Sequence, residues 1–311
     1  MKVFSSIPNF PSENKTIITI GTFDGVHLGH KVLLARLNEI AKKTKHKSVL
    51  LTFSPHPRHV LQKDDQEMKL INALNEKQEL LEKAGLDNLV VHEFTMEFSR
   101  IKSINFVRDI LVEKLNVHTL VIGYDHHFGR NREGSIPELK VLAELYDFSI
   151  EMISPQLFQD VTVSSTKIRQ LLEKGEIEKA NHYLGYDFFI NGKVVKGNGI
   201  GKTIGFPTAN ILIKNKWKLL PSDGVYAVKV NINDRCFKGM MNIGKKPTVD
   251  GKGKSLEVHI FDFSNDIYGK AIKVKFIKRI RDEKKFKDLQ GLKKQLFIDK
   301  NMKMVSIIVL P

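Results

Sequence analysis

The 311-residue sequence has one cysteine, Cys236, one tryptophan, and no hydrophobic run near the roughly 18 residues of a membrane span. A single thiol excludes an intramolecular disulfide and any multi-thiolate metal site, which points to a reducing compartment and away from zinc ribbons. The opening MKVFSSIPNF has a lysine but no apolar core of the usual signal-peptide length, so no secretory signal and no membrane partner are expected, and the expected location is cytoplasmic. Repeats and low-complexity tracts are absent. What remains is globular stock, 41% hydrophobic and 27% charged. Its length suits two domains of roughly 100 to 200 residues each.

Excess charge is also missing from the first part of the chain. Residues 1–182 carry 24 basic and 24 acidic side chains, whereas 183–311 carry 26 and 11, so the net +15 lies entirely in the C-terminal part. That asymmetry fits a phosphate-handling site in a solvated basic shell, a polyanion-binding face, or a lysine-rich soluble surface.

Up to about residue 153, β-branched runs alternate with amphipathic windows. TIITIG (16–21), SVLLTF (48–53), NLVVHEF (88–94), TLVIG (119–123) and FSIEMI (148–153) read as strands. Helices are predicted after TIITIG, with Leu33, Leu37, Ile40 and Ala41 on one face, over 73–84 stopped by Gly85, over 104–115 capped by Ser103, and over 136–146. This alternation predicts an α/β domain, a parallel sheet with helices on both faces and ligands at the carboxyl ends of its strands. After a helical stretch at 165–183 the pattern changes to short strands with period-2 alternation, as in Ile272, Val274 and Phe276, and a turn at Asn233-Asp234. That pattern predicts a barrel or sandwich, followed by a helix over 283–298 with Phe286, Leu289, Leu292 and Leu296 on one stripe. The terminal MVSIIVLP is not placed.

GTFDGVHLGH (Gly21–His30) follows the first strand and opens the first helix. Its glycines admit close backbone approach, free N–H groups at the helix start attract phosphate, and His27 and His30 can face one phosphate group. SPHPR around His56, GYDHHFGRNREG after TLVIG, and SSTKIR (Ser164–Arg169) occupy further strand-end loops, the last offering hydroxyls and two cations to phosphates. Together, GTFDGVHLGH, FSPHP, GYDHHFG and VSSTKIR resemble the adenylyltransferase module of bacterial bifunctional riboflavin kinase/FAD synthetases. The H-x-G-H alone is shared by a wider nucleotidyltransferase superfamily. The resemblance implies that His27 and His30 hold ATP phosphates and stabilise the α-phosphate transition state. It also implies nucleotide contacts from Gly21, Phe23, Gly29, His56, Ser165, Thr166, Lys167 and Arg169, and flavin contacts from Asp125 and Phe128. Two positions depart from the pattern: His126 where Phe is usual, and Lys167 where Arg is usual.

In the basic part, GNGIGKTIGFPTAN (Gly197–Asn210) offers a glycine-rich flap, then the oxygens of Thr208 and Asn210, of the kind Mg²⁺ accepts beside phosphates. In SLEVHIFDF, Leu256, Val258 and Ile260 share one strand face and Glu257 and His259 the other, where a carboxylate can serve as general base. GFPTAN, NIGKKPT, LEVHIFDF, YGK and RDEKKF resemble the riboflavin kinase module of the same bacterial family. The resemblance implies a six-stranded barrel with a C-terminal helix and Mg²⁺ with ATP at Thr208 and Asn210. Glu257 is then the base, the flap residues Gly197, Gly199, Gly201 and Lys202 lie on ATP, and Asn242, Arg281 and Phe286 lie on flavin. The expectation is therefore a Rossmann-like nucleotidyltransferase domain over 1–183 and a riboflavin kinase barrel over 184–311, with riboflavin, FMN, FAD and ATP as substrates or products and self-association left open. An RNA-binding role for the basic module lacks a recognisable aromatic stacking motif, and the kinase motifs argue against a different adenylylated acceptor.

Overall fold

The computed structural model describes residues 1–61, 68–123, 129–130, 134–153, 163–197, 200–233, 235–245, 254–284, 286 and 288–308. The chain divides into two compact units, Met1–Ser165 and Thr166–Pro311. Among the described residues no helix is long and apolar enough to cross a membrane.

The first unit is built on a six-stranded sheet of β1 (Lys2–Phe4), β2 (Thr16–Ile20), β3 (Lys47–Phe53), β4 (Asn88–His92), β5 (Val117–Gly123) and β6 (Ser149–Ile153). Every pairing is parallel and the order is β1-β4-β3-β2-β5-β6. The predicted runs are unbroken in hydrophobicity because central parallel strands are covered on both faces, and Ile17, Ile18, Val49, Leu50 and Leu51 are fully buried. Strand order reverses at β2 and β5, the switch point where the loops leaving the carboxyl ends part to form a crevice.

Helices α1 (Leu28–Thr44), α2 (Pro57–Leu61), α3 (Leu74–Lys83), α4 (Ser103–Asn105) and α5 (Ile136–Leu145) accompany this sheet. The face of α1 is set by Leu34, Leu37 and Ala41, with Leu33 and Ile40 only partly buried, and Gly85 ends the α3 segment at φ +81° as predicted. Two readings are corrected. The edge strand β1 went unforeseen, since three residues carry no period and gain their place only by pairing with β4. The helix expected over 104–115 is a short α turn running into a π-helix, Phe106–Val112. Its N-cap is Lys102, while Ser103 lies inside the turn and donates its hydroxyl to Glu138 at 2.6 Å.

The second unit opens with α6 (from Ser165 to Glu173) and α7 (Ile177–Leu184), then β7 (Phe189–Val195), α8 (Ile200–Thr203), β8 (Ala209–Leu212), β9 (Gly224–Ile232), β10 (Arg235–Lys245), β11 (Lys254–Ile260), β12 (Ala271–Arg281) and α9 (Leu289–Ile308). The strands close an antiparallel barrel in the order β10-β11-β8-β7-β12-β9. Val228, Val230, Val258, Val274 and Phe276 are fully buried, matching the predicted alternation. α7 is tied to this barrel by Asn181, whose amide donates to the Phe276 carbonyl and accepts from the Phe188 N–H, both at 2.8 Å. The ladder between β12 and β9 shifts register twice, between Phe276 and Lys278 and between Arg279 and Arg281.

The terminal helix also differs from the reading: it begins at Leu289 rather than 283 and continues to Ile308, so most of MVSIIVLP is helical. Phe286 precedes it and Leu289 is exposed, leaving Leu292 and Leu296 to pack on Ile204, Phe206, Met240 and Phe261. Asp299 explains the extension. Fully buried one residue past the expected end, it accepts from Arg281 Nε and Nη2 at 2.7–3.1 Å and so fixes the helix to the end of β12.

Candidate active sites

The turn between β2 and α1 concentrates strained backbone. Phe23 (φ +47°) and Val26 (φ +36°) sit in the left-handed region beside Gly25 (φ +89°), a conformation costly for a β-branched residue and held only by its surroundings. Asp24, 1% exposed, supplies much of that hold: its carboxylate accepts the N–H groups of Ile71 and Asn72 at 3.1 and 3.2 Å, and its carbonyl accepts from Ser165 Oγ at 2.8 Å. His27 caps α1, its Nδ1 accepting the His30 N–H at 3.4 Å, so the neutral ring carries its proton on Nε2 as a donor. The two imidazoles stack at 3.7 Å, and His30 stacks in turn on Phe23 at 4.5 Å. His30 Nδ1 is buried with no hydrogen-bond partner among the described residues.

The expected residues of this site therefore divide. Gly21, Phe23, His27, Gly29 and His30 share one turn, and Ser165 is bonded into it. Phe23 is buried beneath His30 as a ring platform. His56 lies in the loop after β3, its Nδ1 accepting the Arg58 N–H at 3.1 Å. Thr166, Lys167 and Arg169 continue along α6, with Lys167 Nζ 4.2 Å over the Tyr183 ring. Asp125, Phe128 and Gly199 lie outside the described residues.

In the barrel, Glu257 of β11 pairs in register with Asn210 of β8 on one side and Asn242 of β10 on the other, which places the three in one row. Thr208 Oγ1 donates to the Glu257 carboxylate at 3.4 Å. Together with Asn242, both line a cavity of about 320 Å³ between the barrel wall and α9, walled by Phe206, Arg281, Phe286 and Leu296. Its size falls at the low end of ligand pockets, roughly 300–1,000 Å³. Thr208 also lines a second depression, of similar volume, with Lys202, Pro207, Phe263 and Tyr268. Flap glycines act by close approach: a methyl group on Gly197 would overlap the Asn210 carboxamide, and one on Gly201 would meet the Phe206 carbonyl. Arg281 faces the cavity with its guanidinium already bound by Asp299, and lies 5.9 Å from the Phe286 ring.

Two residues beside these sites, Lys77 and Asp299, were not singled out from sequence. Lys77 is a buried lysine of α3 whose Nζ donates to the Thr22 carbonyl at 2.7 Å. Asp299 anchors Arg281. His259, read as sharing the Glu257 face, is 8% exposed and donates from Nδ1 to the Pro207 carbonyl at 2.7 Å, continuing by side chain a β8–β11 pairing that proline cannot extend.

Burial is the first cause holding His30, His92 and His118 below the ordinary imidazole range, with His27 and Lys77 adding to it at His30; burial does the same at His259. The unfolded chain thus takes up protons first as pH falls below about 6.5. Stability from neutral burial is present above that pH and is lost as pH falls from it toward the lowered folded values. Thermal melts are expected to be several degrees lower at pH 5.5 than at 7.5; equal melting temperatures would show these rings to be hydrated in solution.

Comparison with known proteins matches the FAD synthetase family to residues 9–167 and the riboflavin kinase family to residues 184–306. The bifunctional riboflavin kinase/FMN adenylyltransferase of Bacillus subtilis is 38% identical over 92% of this chain and 90% of its own length, and that of Escherichia coli K12 is 37% identical over 96% of each. The chain belongs to the bifunctional riboflavin kinase/FMN adenylyltransferase family. A solved structure of a Streptococcus pneumoniae protein described as a macrolide-efflux protein has the same fold, with a TM-score of 0.89, 30% identity, and coverage of 97% of this chain and 98% of that one. Within the riboflavin kinase/FMN adenylyltransferase family, the H-x-G-H turn falls in the FAD synthetase match and the Asn210–Glu257–Asn242 row in the riboflavin kinase match.

Proposed function

We propose that the barrel cavity phosphorylates riboflavin to FMN and that the Gly21–His30 turn adenylylates FMN to FAD, dividing the family's two activities between residues 184–311 and 1–183. The observation that carries the reading is the Glu257 carboxylate, in register between two asparagines and bonded to Thr208, at a cavity with an aromatic wall. Flavin fits the Phe206–Phe286 cavity, and ATP fits the depression holding Lys202 and Tyr268. Thr208, common to both, lies where the two substrates meet.

In the kinase step the terminal ribityl hydroxyl oxygen attacks the γ-phosphorus of ATP in line, its proton passes to Glu257, and ADP leaves. The Thr208 hydroxyl and Asn210 carboxamide are hard oxygen donors suited to Mg²⁺, which retains further positions for water and phosphate oxygens. Bound there, the ion supplies neutralisation of phosphate charge. In the second step an FMN phosphate oxygen attacks the α-phosphorus of ATP and pyrophosphate leaves. The FMN phosphate is already ionised at neutral pH, so His27 and His30 serve by donating hydrogen bonds to developing charge. Ser165, Thr166, Lys167 and Arg169 are assigned to the triphosphate, and Asp125 and Phe128 to the flavin. The single thiol supports a reducing, cytoplasmic setting.

The test is a time course of the purified chain with riboflavin and MgATP, the flavins being separated by chromatography. FMN appears first and FAD later. Absence of both products sinks the reading, and FMN alone removes the assignment of the turn.

A further inference from the structure

α3 carries a group that neither reaction uses. Lys77 is 7% exposed, deep enough that only a specific partner offsets the cost of its charge. Its Nζ is spent on a main-chain carbonyl, that of Thr22, and its charge is balanced by Asp24. Both partners belong to the turn that presents His27 and His30. Asp24 in turn accepts the N–H groups of Ile71 and Asn72, the residues leading into α3. Helix and turn are thus joined by an ammonium running one way and a carboxylate the other. Phe23 keeps its left-handed backbone between these two anchors, and Val26 follows two residues past the second.

We propose that Lys77 is a positioning residue for adenylyl transfer: from α3 its ammonium holds the Thr22 carbonyl and, with Asp24, fixes the turn on which the His27 and His30 rings stand ready for the reacting phosphates. The inference rests on the assignment of FAD synthesis to that turn. Its electrostatic consequence is specific. The titratable groups acting on His30 are His27 from its own helix start and Lys77 from α3, while Asp24 acts electrostatically on Lys77. The Lys77 ammonium opposes protonation of His30, so loss of Lys77 releases part of that opposition. An ordinary packing lysine would have no such effect on a histidine of another element.

The test compares Lys77→Met, which keeps an unbranched apolar stem and loses charge and donors, with Lys77→Arg, which keeps both. FAD formation from supplied FMN, FMN formation from riboflavin, the melting profile and the NMR titration of His30 are measured on the full chain. Lys77→Met is expected to lower kcat for FAD formation about 100-fold, the scale of a roughly 1 Å misplacement of the reacting groups, with KM for ATP within about threefold. FMN formation stays unchanged and His30 titrates at higher pH than in the wild type. Lys77→Arg is expected to restore the His30 titration and most of the rate. The proposal is overturned if Lys77→Met makes FAD at the wild-type rate, if His30 titrates unchanged, if Lys77→Arg is as impaired as Lys77→Met, or if the melt shows the first unit unfolded, which assigns Lys77 to stability alone. Wild-type chain that makes no FAD overturns instead the functional assignment beneath it.

Discussion

His27→Ala is expected to end FAD formation from supplied FMN and to leave riboflavin phosphorylation at the wild-type rate. Two losses coincide in this variant. One is the cap of α1, since His27 Nδ1 accepts the His30 N–H, worth about 1 kcal/mol at a helix start. The other is the imidazole donor proposed above to face the transferring phosphate, and removal of a comparable donor costs about 10²- to 10³-fold in kcat, or roughly 3–4 kcal/mol. The second is the larger, so rate and not stability is the sensitive readout. His27→Asn separates the two, because asparagine is itself a good cap: it should melt like the wild type and still make FAD at least about 100-fold more slowly. A His27→Asn chain with near-normal FAD synthesis would reduce His27 to a capping residue.

Glu257→Gln gives the mirror result. Glutamine preserves the strand register with Asn210 and Asn242 and can still bond Thr208, but it cannot take the ribityl proton. FMN formation should fall about 10²- to 10⁴-fold, the range of a general base, while FMN supplied directly is still converted to FAD. The readout is paired flavin chromatography, with riboflavin as substrate in one reaction and FMN in the other. Loss of both activities in either single variant would mean that the two sites do not operate as separate modules.

Much of this architecture was legible because its signals are local. TIITIG and SVLLTF are unbroken apolar runs, as buried parallel strands must be, and Ile272, Val274 and Phe276 alternate with lysines as a barrel wall requires. The Gly21–His30 turn, Thr208 and Glu257 were each legible from residue types whose chemistry is distinctive. What escaped depends on distant partners. β1 exists because β4 offers an edge. Lys77 reads in sequence as any surface lysine of an amphipathic helix, and only the approach of Thr22 and Asp24 buries it. Asp299 fell beyond the expected end of α9 because the apolar, β-branched continuation could not be placed from its pattern, while Arg281, 18 residues earlier, secures it. His259 shares a strand face with Glu257 in the sequence pattern, but Phe206 and Phe261 flank it.

The two register shifts in β12 have a consequence for how this part of the chain can vary. Between Phe276 and Lys278, and again between Arg279 and Arg281, β12 advances two residues while β9 advances one. Each extra residue, Ile277 and Ile280, resets which later side chains turn to the outside of the wall. Arg281 reaches the cavity and Asp299 only because both insertions precede it. Along this stretch chain length is therefore more restrictive than residue identity: exchanging one aliphatic side chain for another at Ile277 or Ile280 disturbs packing alone, whereas a one-residue gap turns the Arg281 guanidinium away from the cavity.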